Sequence, residues 1–252
     1  MLPAMKRPAQ PVATRLGLCS LIILCAVAIA LPASERARVK ITCPLDGTEF
    51  EAVQDFSGYA AGMRLDMKKM GAISQPWALA RCPECGFPVY QKYLSDDDTR
   101  RLKAIVASER FRSEARPATA WFALGVLKEE LRAESFEIGW TYLNASWEAE
   151  NEDRTEAYDR AVQRAITWFD RAAVALKDQP DRSKDRHIAL YLPVELARRV
   201  GDFEQAQRRL RQLPDMQGSG IDWLPAALQT QSRLIAAKDK SAHDDGEDPR
   251  MK

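Results

Sequence analysis

The sequence predicts a mostly α-helical protein that begins with a small, cysteine-bearing β module. Two observations support this fold class. Apolar residues alternate with a period near two in parts of residues 39–90, as in strands, and recur with a period near 3.6 after residue 95, as in helices. Two cysteine–proline pairs, Cys43-Pro44 and Cys82-Pro83, lie within the strand-like part. We therefore expect a zinc-ribbon-like module followed by a helical array.

The first 33 residues have the composition of an export segment. Residues 1–15 contain basic but no acidic side chains, and residues 16–31 form an uncharged apolar run of 16 residues. A helix of this length spans about 24 Å, which is shorter than the ~30 Å hydrocarbon core of a bilayer. We therefore predict a secretory signal peptide over residues 1–33, with an uncleaved anchor contacting the membrane through residues 16–31 as the alternative. Either form predicts an exported protein, periplasmic or anchored in the inner membrane facing the periplasm.

Residues 34–94 are predicted to form a module built on two knuckles, which are tight turns that present metal ligands. The second knuckle, Cys82-Pro83-Glu84-Cys85-Gly86, is complete, whereas the first has Asp46 in place of its second cysteine. Proline presets one backbone angle and glycine permits a positive φ, so the ligands of such a turn converge. Two facing knuckles supply the four ligands of a tetrahedral structural zinc, here Cys43, Asp46, Cys82 and Cys85.

Short alternating stretches flank both knuckles and predict hairpins. Residues 39–42 and 48–53 flank the first knuckle, and residues 77–80 and 87–90 flank the second. Between them, residues 54–76 contain several glycines and a proline and are predicted to be a loop-rich insertion. The module has few large apolar side chains, so we expect its folding to depend on the metal.

Two other interpretations of the cysteines remain open. The turns could persist for packing without a metal, or Cys82 and Cys85 could form a redox pair. A thioredoxin-like pair opens a helix that lowers the thiol pKa, whereas Gly86-Phe87-Pro88 follows here. Of five cysteines, two lie in the apolar run, and the odd number that remains argues against a disulfide framework.

Residues 95–237 are predicted to form a repeat-like helical domain. A capping box begins the first helix at Ser95, and apolar stripes mark the helices that follow. Gly201-Asp202-Phe203, then Ala206 and Leu210, follow the order of a tetratricopeptide-type turn and helix. Residues 238–252 are charged without apolar periodicity and are predicted to be disordered. The helices predicted after the first cover residues 121–131, 136–147, 155–177, 188–200, 203–213 and 225–237.

Most polar side chains of the helices are predicted to be solvated, and most aromatic ones to pack in the core. The alternative for the aromatic residues is a concave peptide-binding groove, as repeat scaffolds often have. The charged residues predicted to lie on solvated faces are Glu129, Glu130, Glu148, Glu150, Glu152, Arg198, Arg199, Arg208, Arg209 and Arg211.

The motifs resemble, in their order, the bacterial "domain of unknown function twenty-two twenty-five" family. The resemblance rests on the paired knuckles, on Trp140-Thr141-Tyr142-Leu143-Asn144-Ala145-Ser146-Trp147, and on the repeat from Leu196 to Leu210, and it covers residues 39–237. It implies a knuckle module followed by repeat-like helices, with no assigned activity. The chain departs from the family pattern at Asp46 and in its N-terminal apolar segment, which suggests an exported variant.

The composition argues against several functional classes. The chain has 37 Lys+Arg and 36 Asp+Glu, so it lacks the positive charge that drives nucleic-acid binding. It has two histidines, no phosphate-binding GxxxxGK[ST] and no strand-borne GxGxxG, so common catalytic triads and nucleotide sites are not expected. We therefore predict a non-enzymatic scaffold that binds another protein. The alternative is a thiol oxidoreductase or zinc-dependent enzyme that uses Cys82 and Cys85.

Overall fold

A two-stranded antiparallel ribbon begins the part of the chain that the structure, a computed structural model, describes: residues 35–72, 75–216 and 219–244. Strand β1 covers Glu35–Thr42 and strand β2 covers Glu49–Ser57. Thr42 pairs with Glu49, so the first knuckle is the turn between the strands. This confirms the predicted hairpin and extends it at both outer ends. The predicted export segment, residues 1–33, lies outside the described residues.

The predicted loop-rich insertion contains a second hairpin. Strand β3 covers Ala60–Met63 and pairs antiparallel with strand β4, Lys69–Gly71. The turn between them, residues 64–68, packs into the helical part of the protein, and Leu65 is only 1% exposed. The sequence did not predict this docking, because the turn's apolar residues are interspersed with charged ones.

The second knuckle has less β structure than predicted. Its flanks are joined by an isolated bridge between Arg81 and Pro88 and by a hydrogen bond from the Val89 N–H to the Ala80 carbonyl, 2.7 Å. Pro88 has no N–H to donate, which prevents a regular ladder at this position. The predicted hairpin is therefore reduced to a short pairing.

Helices make up most of the described residues, as predicted. Ser95 caps the first helix through a hydrogen bond from the Asp98 N–H, 3.1 Å, which confirms the predicted start. Asp202 caps the sixth helix in the same way, accepting from the Gln205 N–H at 2.9 Å. Among the described residues, none of the helices is both long enough and apolar enough to span a bilayer. The helices are α1 Asp96–Ala107, α2 Ala120–Leu131, α3 Ser135–Asn151, α4 Thr155–Ala175, α5 Ser183–Arg199, α6 Phe203–Gln212 and α7 Leu224–Ala236, with a single π-helical turn at Phe111–Ala115.

The β module and the helices share one core. A continuous cluster of buried apolar side chains includes Cys43, Leu65 and Phe87 from the module and Trp147 and Phe169 from the helices. The predicted domain boundary at residue 94 crosses this core. The two parts are therefore joined by apolar packing as well as by the chain.

Several charged side chains that were predicted to be solvated are buried. The Glu129 side chain is 7% exposed and accepts hydrogen bonds from the Tyr142 hydroxyl at 2.9 Å and the Trp168 indole at 2.7 Å. Arg198 is fully buried and forms an ion pair with Glu195, 2.8 Å, in a neighbouring turn of α5. The prediction of solvated faces was wrong at these positions, because the buried charges are compensated, that of Glu129 by arginines distant in sequence and that of Arg198 by Glu195.

The segment after α7 also differs from the prediction of a disordered tail from residue 238. Arg198 Nη1 donates to the carbonyls of Asp239, 2.6 Å, and Ser241, 2.9 Å. The Leu65 N–H donates to the His243 carbonyl, 2.9 Å. Residues 238–244 are therefore held against the turn of the second hairpin and α5. Residues 245–252 lie outside the described residues.

Candidate metal centre

The two knuckles have the same backbone hydrogen bonds. In the first, the Gly47 N–H donates to the Cys43 carbonyl at 2.9 Å, and the Cys43 N–H donates to the Thr48 carbonyl at 2.8 Å. In the second, Gly86 and Cys82 make the equivalent bonds at 3.0 and 2.9 Å. φ is +76° at Gly47 and +77° at Gly86, a region that side-chain-bearing residues rarely adopt. The CPxDG and CPxCG sequences therefore form the same turn.

The structure brings all four predicted ligands together. One ligand atom from each of Cys43, Asp46, Cys82 and Cys85 lies within 4.8 Å of the others. The Cys43 and Cys85 sulfurs are 3.7 Å apart, and the Cys82 sulfur is 3.4 Å from Asp46 Oδ2. A tetrahedral zinc with Zn–S of ≈ 2.3 Å would place its ligand atoms roughly 3.6–3.8 Å apart. The arrangement is compatible with zinc, and all three cysteines are free thiols.

Burial and hydrogen bonding shift the pKa values of three of the four groups, Cys43, Asp46 and Cys85. Burial raises the pKa of Cys43 to about 11 and also raises the pKa of Cys85. Burial has the same tendency at Asp46, but the Thr48 N–H, 2.9 Å from Oδ1, and the neighbouring thiols lower its pKa below the ordinary range. A metal ion would therefore meet one carboxylate already ionised and would displace protons from Cys43 and Cys85.

The ligands differ in their exposure. Cys43 and Cys82 are each 1% exposed, Cys85 is half-buried, and Asp46 is exposed. Two of the three thiols thus lie in the protein interior, and the carboxylate lies at the solvent edge. Because a carboxylate is a harder ligand than a thiolate, Asp46 is expected to be the weakest of the four for zinc.

We expect Asp46→Cys to increase zinc affinity, by about tenfold or more, because it completes a set of four cysteine ligands in a turn that already has the right backbone. Competition with a chromogenic chelator measures the change. Glu84→Cys is the matched control, since Glu84 is exposed in the other knuckle and is not a ligand. Equal affinity in the wild-type protein and the Asp46→Cys variant would contradict the proposed ligand set.

Arg81 fixes the second knuckle to the helices. Its guanidinium donates to four carbonyls: Ala118 at 2.7 Å, Arg116 at 2.8 Å, Ala115 at 3.0 Å and Gly86 at 3.1 Å. Three of these belong to the segment before α2, so a single side chain connects the knuckle backbone with the helical part. The sequence analysis missed Arg81, because nothing near it in sequence indicates a role beyond an ordinary strand residue.

A polar network also connects the turn of the second hairpin with α3 and α5. Asp66 is 1% exposed and accepts from Arg64 Nε at 3.0 Å and from the Trp147 indole at 3.1 Å. Glu150 accepts from Arg64 at 2.7 Å, from Lys68 at 2.9 Å and from Arg199 at 2.7 Å. The sequence analysis missed this network; its one local signal was the alternation of charges at residues 64, 66 and 68.

An open groove lies on the helices, outside the metal centre. Trp121 on α2, Phe136 and Trp140 on α3, and Ile188 on α5 line a cavity of about 560 Å³. Its walls are mainly apolar. The aromatic residues predicted to lie in the core thus also form part of a surface depression.

Comparison with family models matched residues 37–235 to the family described as "Uncharacterized protein conserved in bacteria (DUF2225)". Comparison with curated proteins and with solved structures found no match.

Proposed function

Given that the chain belongs to the bacterial DUF2225 family, as its motifs indicated, we propose that it is a non-enzymatic scaffold that binds another protein. In this proposal a structural zinc holds the knuckle module, and tetratricopeptide-like helices carry the binding surface. The protein is exported, as a periplasmic protein or as one anchored through residues 16–31. The groove lined by Trp121, Phe136 and Trp140 is the observation that carries the binding role.

The ligand set supports a structural rather than a catalytic ion. Four protein groups converge within 4.8 Å of one another, whereas catalytic zinc sites keep one position for water or substrate. The exposed residues of β1 and β2 leave the module with little apolar core of its own. An ion that joins the two knuckles would supply the missing stability.

The turn between α5 and α6 supports a repeat-like arrangement of the helices. Gly201 has a φ of +83°, and its N–H donates to the Arg198 carbonyl at 2.9 Å. Asp202 then caps α6, and Ala206 on α6 is fully buried. The glycine turn, the helix cap and the buried alanine thus follow one another in the order of the tetratricopeptide pattern.

The charges at the rim indicate what the groove binds. Glu134, Glu137 and Asp185 line it together with one base, Lys128. Lys128 is 2.9 Å from Glu137, and Arg182 is 3.0 Å from Glu134. With Asp185, the rim therefore has three carboxylates and two cations. This excess of acid favours a partner segment that inserts an apolar or aromatic side chain and carries Lys or Arg beside it.

The rival function, a thiol oxidoreductase or zinc-dependent enzyme using Cys82 and Cys85, has less support. Reactive cysteines have a lowered pKa, whereas burial raises the pKa of Cys85. The second knuckle also leads into a short pairing at Pro88 rather than into a helix. A thiol titration of the metal-loaded protein separates the two functions, since a structural site leaves all three thiolates slow to react.

Selection of peptides from a random display library on the wild-type protein tests the groove. We expect the selected peptides to contain an aromatic or large apolar residue next to Lys or Arg. Their affinity should fall about tenfold or more in the double variant Glu137→Lys/Asp185→Lys and in Trp121→Ser.

Val174→Ser is the control, since Val174 is 76% exposed on α4 and does not line the groove. Circular dichroism confirms that each variant folds. Selected peptides that bind the groove variants as tightly as the wild-type protein would place the binding surface elsewhere.

A further inference from the structure

A second cavity, of about 210 Å³, lies where α3 ends and α4 begins, next to the end of α5. Its walls include Glu150, Asp153 and Thr155 from the α3–α4 connection, Tyr158 from α4 and Arg199 from α5. None of these residues belongs to the metal centre or to the aromatic groove. The cavity therefore needs its own explanation.

Two residues of the cavity wall, Tyr158 and Arg199, have hydrogen-bond donors without partners. The Tyr158 hydroxyl and the Nε and Nη1 groups of Arg199 are buried and have no hydrogen-bond partner among the residues that the structure describes. The Arg199 side chain is 9% exposed, and only its Nη2 donates, to Glu150 at 2.7 Å. Nη1 lies 3.8 Å from Asp66 Oδ2, which is too far for a hydrogen bond. Because buried donors are costly to leave unpaired, an acceptor is expected here.

The start of α4 lies at the edge of the same cavity, with Thr155 in its wall. Arg154, at the N-cap position, provides no side-chain cap for this helix of 21 residues. The first intrahelical bond of the segment runs from the Tyr158 N–H to the Arg154 carbonyl, 2.9 Å. The N–H groups of the preceding turn, Thr155 among them, point out of the helix, and the helix dipole makes this end favourable for negative charge.

The charges around the cavity have a positive excess. Arg64, Lys68 and Arg199 surround two carboxylates, Glu150 and Asp66. Glu150 already accepts from all three cations, so its charge is compensated within the network. Asp153 and Arg154, also in the wall, add one charge of each sign. An added anion would therefore meet a net positive surrounding.

We propose that this cavity binds a small oxyanion, a phosphate or carboxylate group, between Tyr158, Arg199 and the first turn of α4. The oxygens accept from the Tyr158 hydroxyl, from the free donors of Arg199 and from backbone N–H groups. An oxyanion suits these unpaired donors, because its oxygens only accept hydrogen bonds and bring no donors of their own.

Calorimetric titration and thermal unfolding of the zinc-loaded full chain test the site, with inorganic phosphate and acetate as probes against chloride at equal ionic strength. We expect saturable binding of at least one probe. The probe that binds with the higher affinity, phosphate or acetate, identifies the ligand class. Tyr158→Phe and Arg199→Lys should each weaken it by about tenfold or more. Arg208→Ala, which removes an exposed charge that does not line the cavity, should leave the affinity for the probe unchanged.

Comparison of two tyrosines, Tyr158 and Tyr191, whose hydroxyls are buried, gives a second readout without any probe. Tyr191→Phe should lower the melting temperature, because the Tyr191 hydroxyl donates to the Leu65 carbonyl at 2.9 Å. Tyr158→Phe should leave the melting temperature equal or higher, because it removes a hydroxyl that has no partner. The proposal is overturned if neither probe binds saturably, or if the Tyr158→Phe variant binds the probe as tightly as the wild-type protein does. It is also overturned if Tyr158→Phe lowers the melting temperature of the probe-free protein as much as Tyr191→Phe does.

Discussion

Chelation of the zinc that we propose for the knuckles is expected to unfold the β module while α4 and α5 remain folded. The knuckle amides of Cys43, Gly47, Cys82 and Gly86 are hydrogen-bonded within two short turns, and β1 and β2 beside them are mostly exposed. A ligand present at about 1,000 times its dissociation constant stabilises by about 4 kcal/mol, and the module loses this contribution without the metal. The long apolar stripes of α4 and α5 do not depend on it.

Hydrogen exchange of the intact chain, with and without chelator, measures this effect residue by residue. The four knuckle amides should lose protection, whereas amides in the middle of α4 and α5 should keep it. The double variant Cys82→Ser/Cys85→Ser is the control, because a chelator should not alter its exchange further. Unchanged knuckle protection would show that the turns persist without metal. Equal loss in α4 and α5 would show that the boundary near residue 94 is not a domain boundary.

Arg198→Met is expected to destabilise the protein by about 3–5 kcal/mol, since it leaves the Glu195 carboxylate buried without its cation. Arg198 is fully buried and Glu195 is 1% exposed. The guanidinium donates to both Glu195 oxygens, at 2.9 and 2.8 Å, to the Gln231 side chain at 3.1 Å, and to two carbonyls after α7. Its loss therefore also releases α7 and residues 238–244 from α5.

Urea unfolding at neutral pH measures the loss in free energy. Arg208→Met is the matched control on α6, with a side chain that is 58% exposed, and should cost less than about 0.5 kcal/mol. The double variant Glu195→Leu/Arg198→Met should be more stable than Arg198→Met alone, because no charge is then left unpaired. If Arg198→Met is as mild as Arg208→Met, the buried pair does not hold the C-terminal segment.

The sequence by itself determined the local features of this protein. Each knuckle is specified within five residues, since cysteine, proline and glycine act on their own turn, and the turns at Cys43 and Cys82 have the same hydrogen bonds. Helix positions were likewise predictable, because apolar periodicity and caps such as Ser95 are local properties. The convergence of the four candidate ligands was predictable as well, because the ligands of two knuckles that face each other necessarily lie close together.

Only the tertiary structure decided which charged residues lie inside the protein. Arg81, Glu129, Glu150 and Arg198 look like ordinary solvated residues in the sequence, yet each bonds to groups 20 or more positions away along the chain. The turn at residues 64–68 entered the core for the same reason, since its charges meet Trp147, Glu150 and Arg199. A buried charge is stable only where partners compensate it, and for most of these residues the partners come from distant segments that no local pattern specifies.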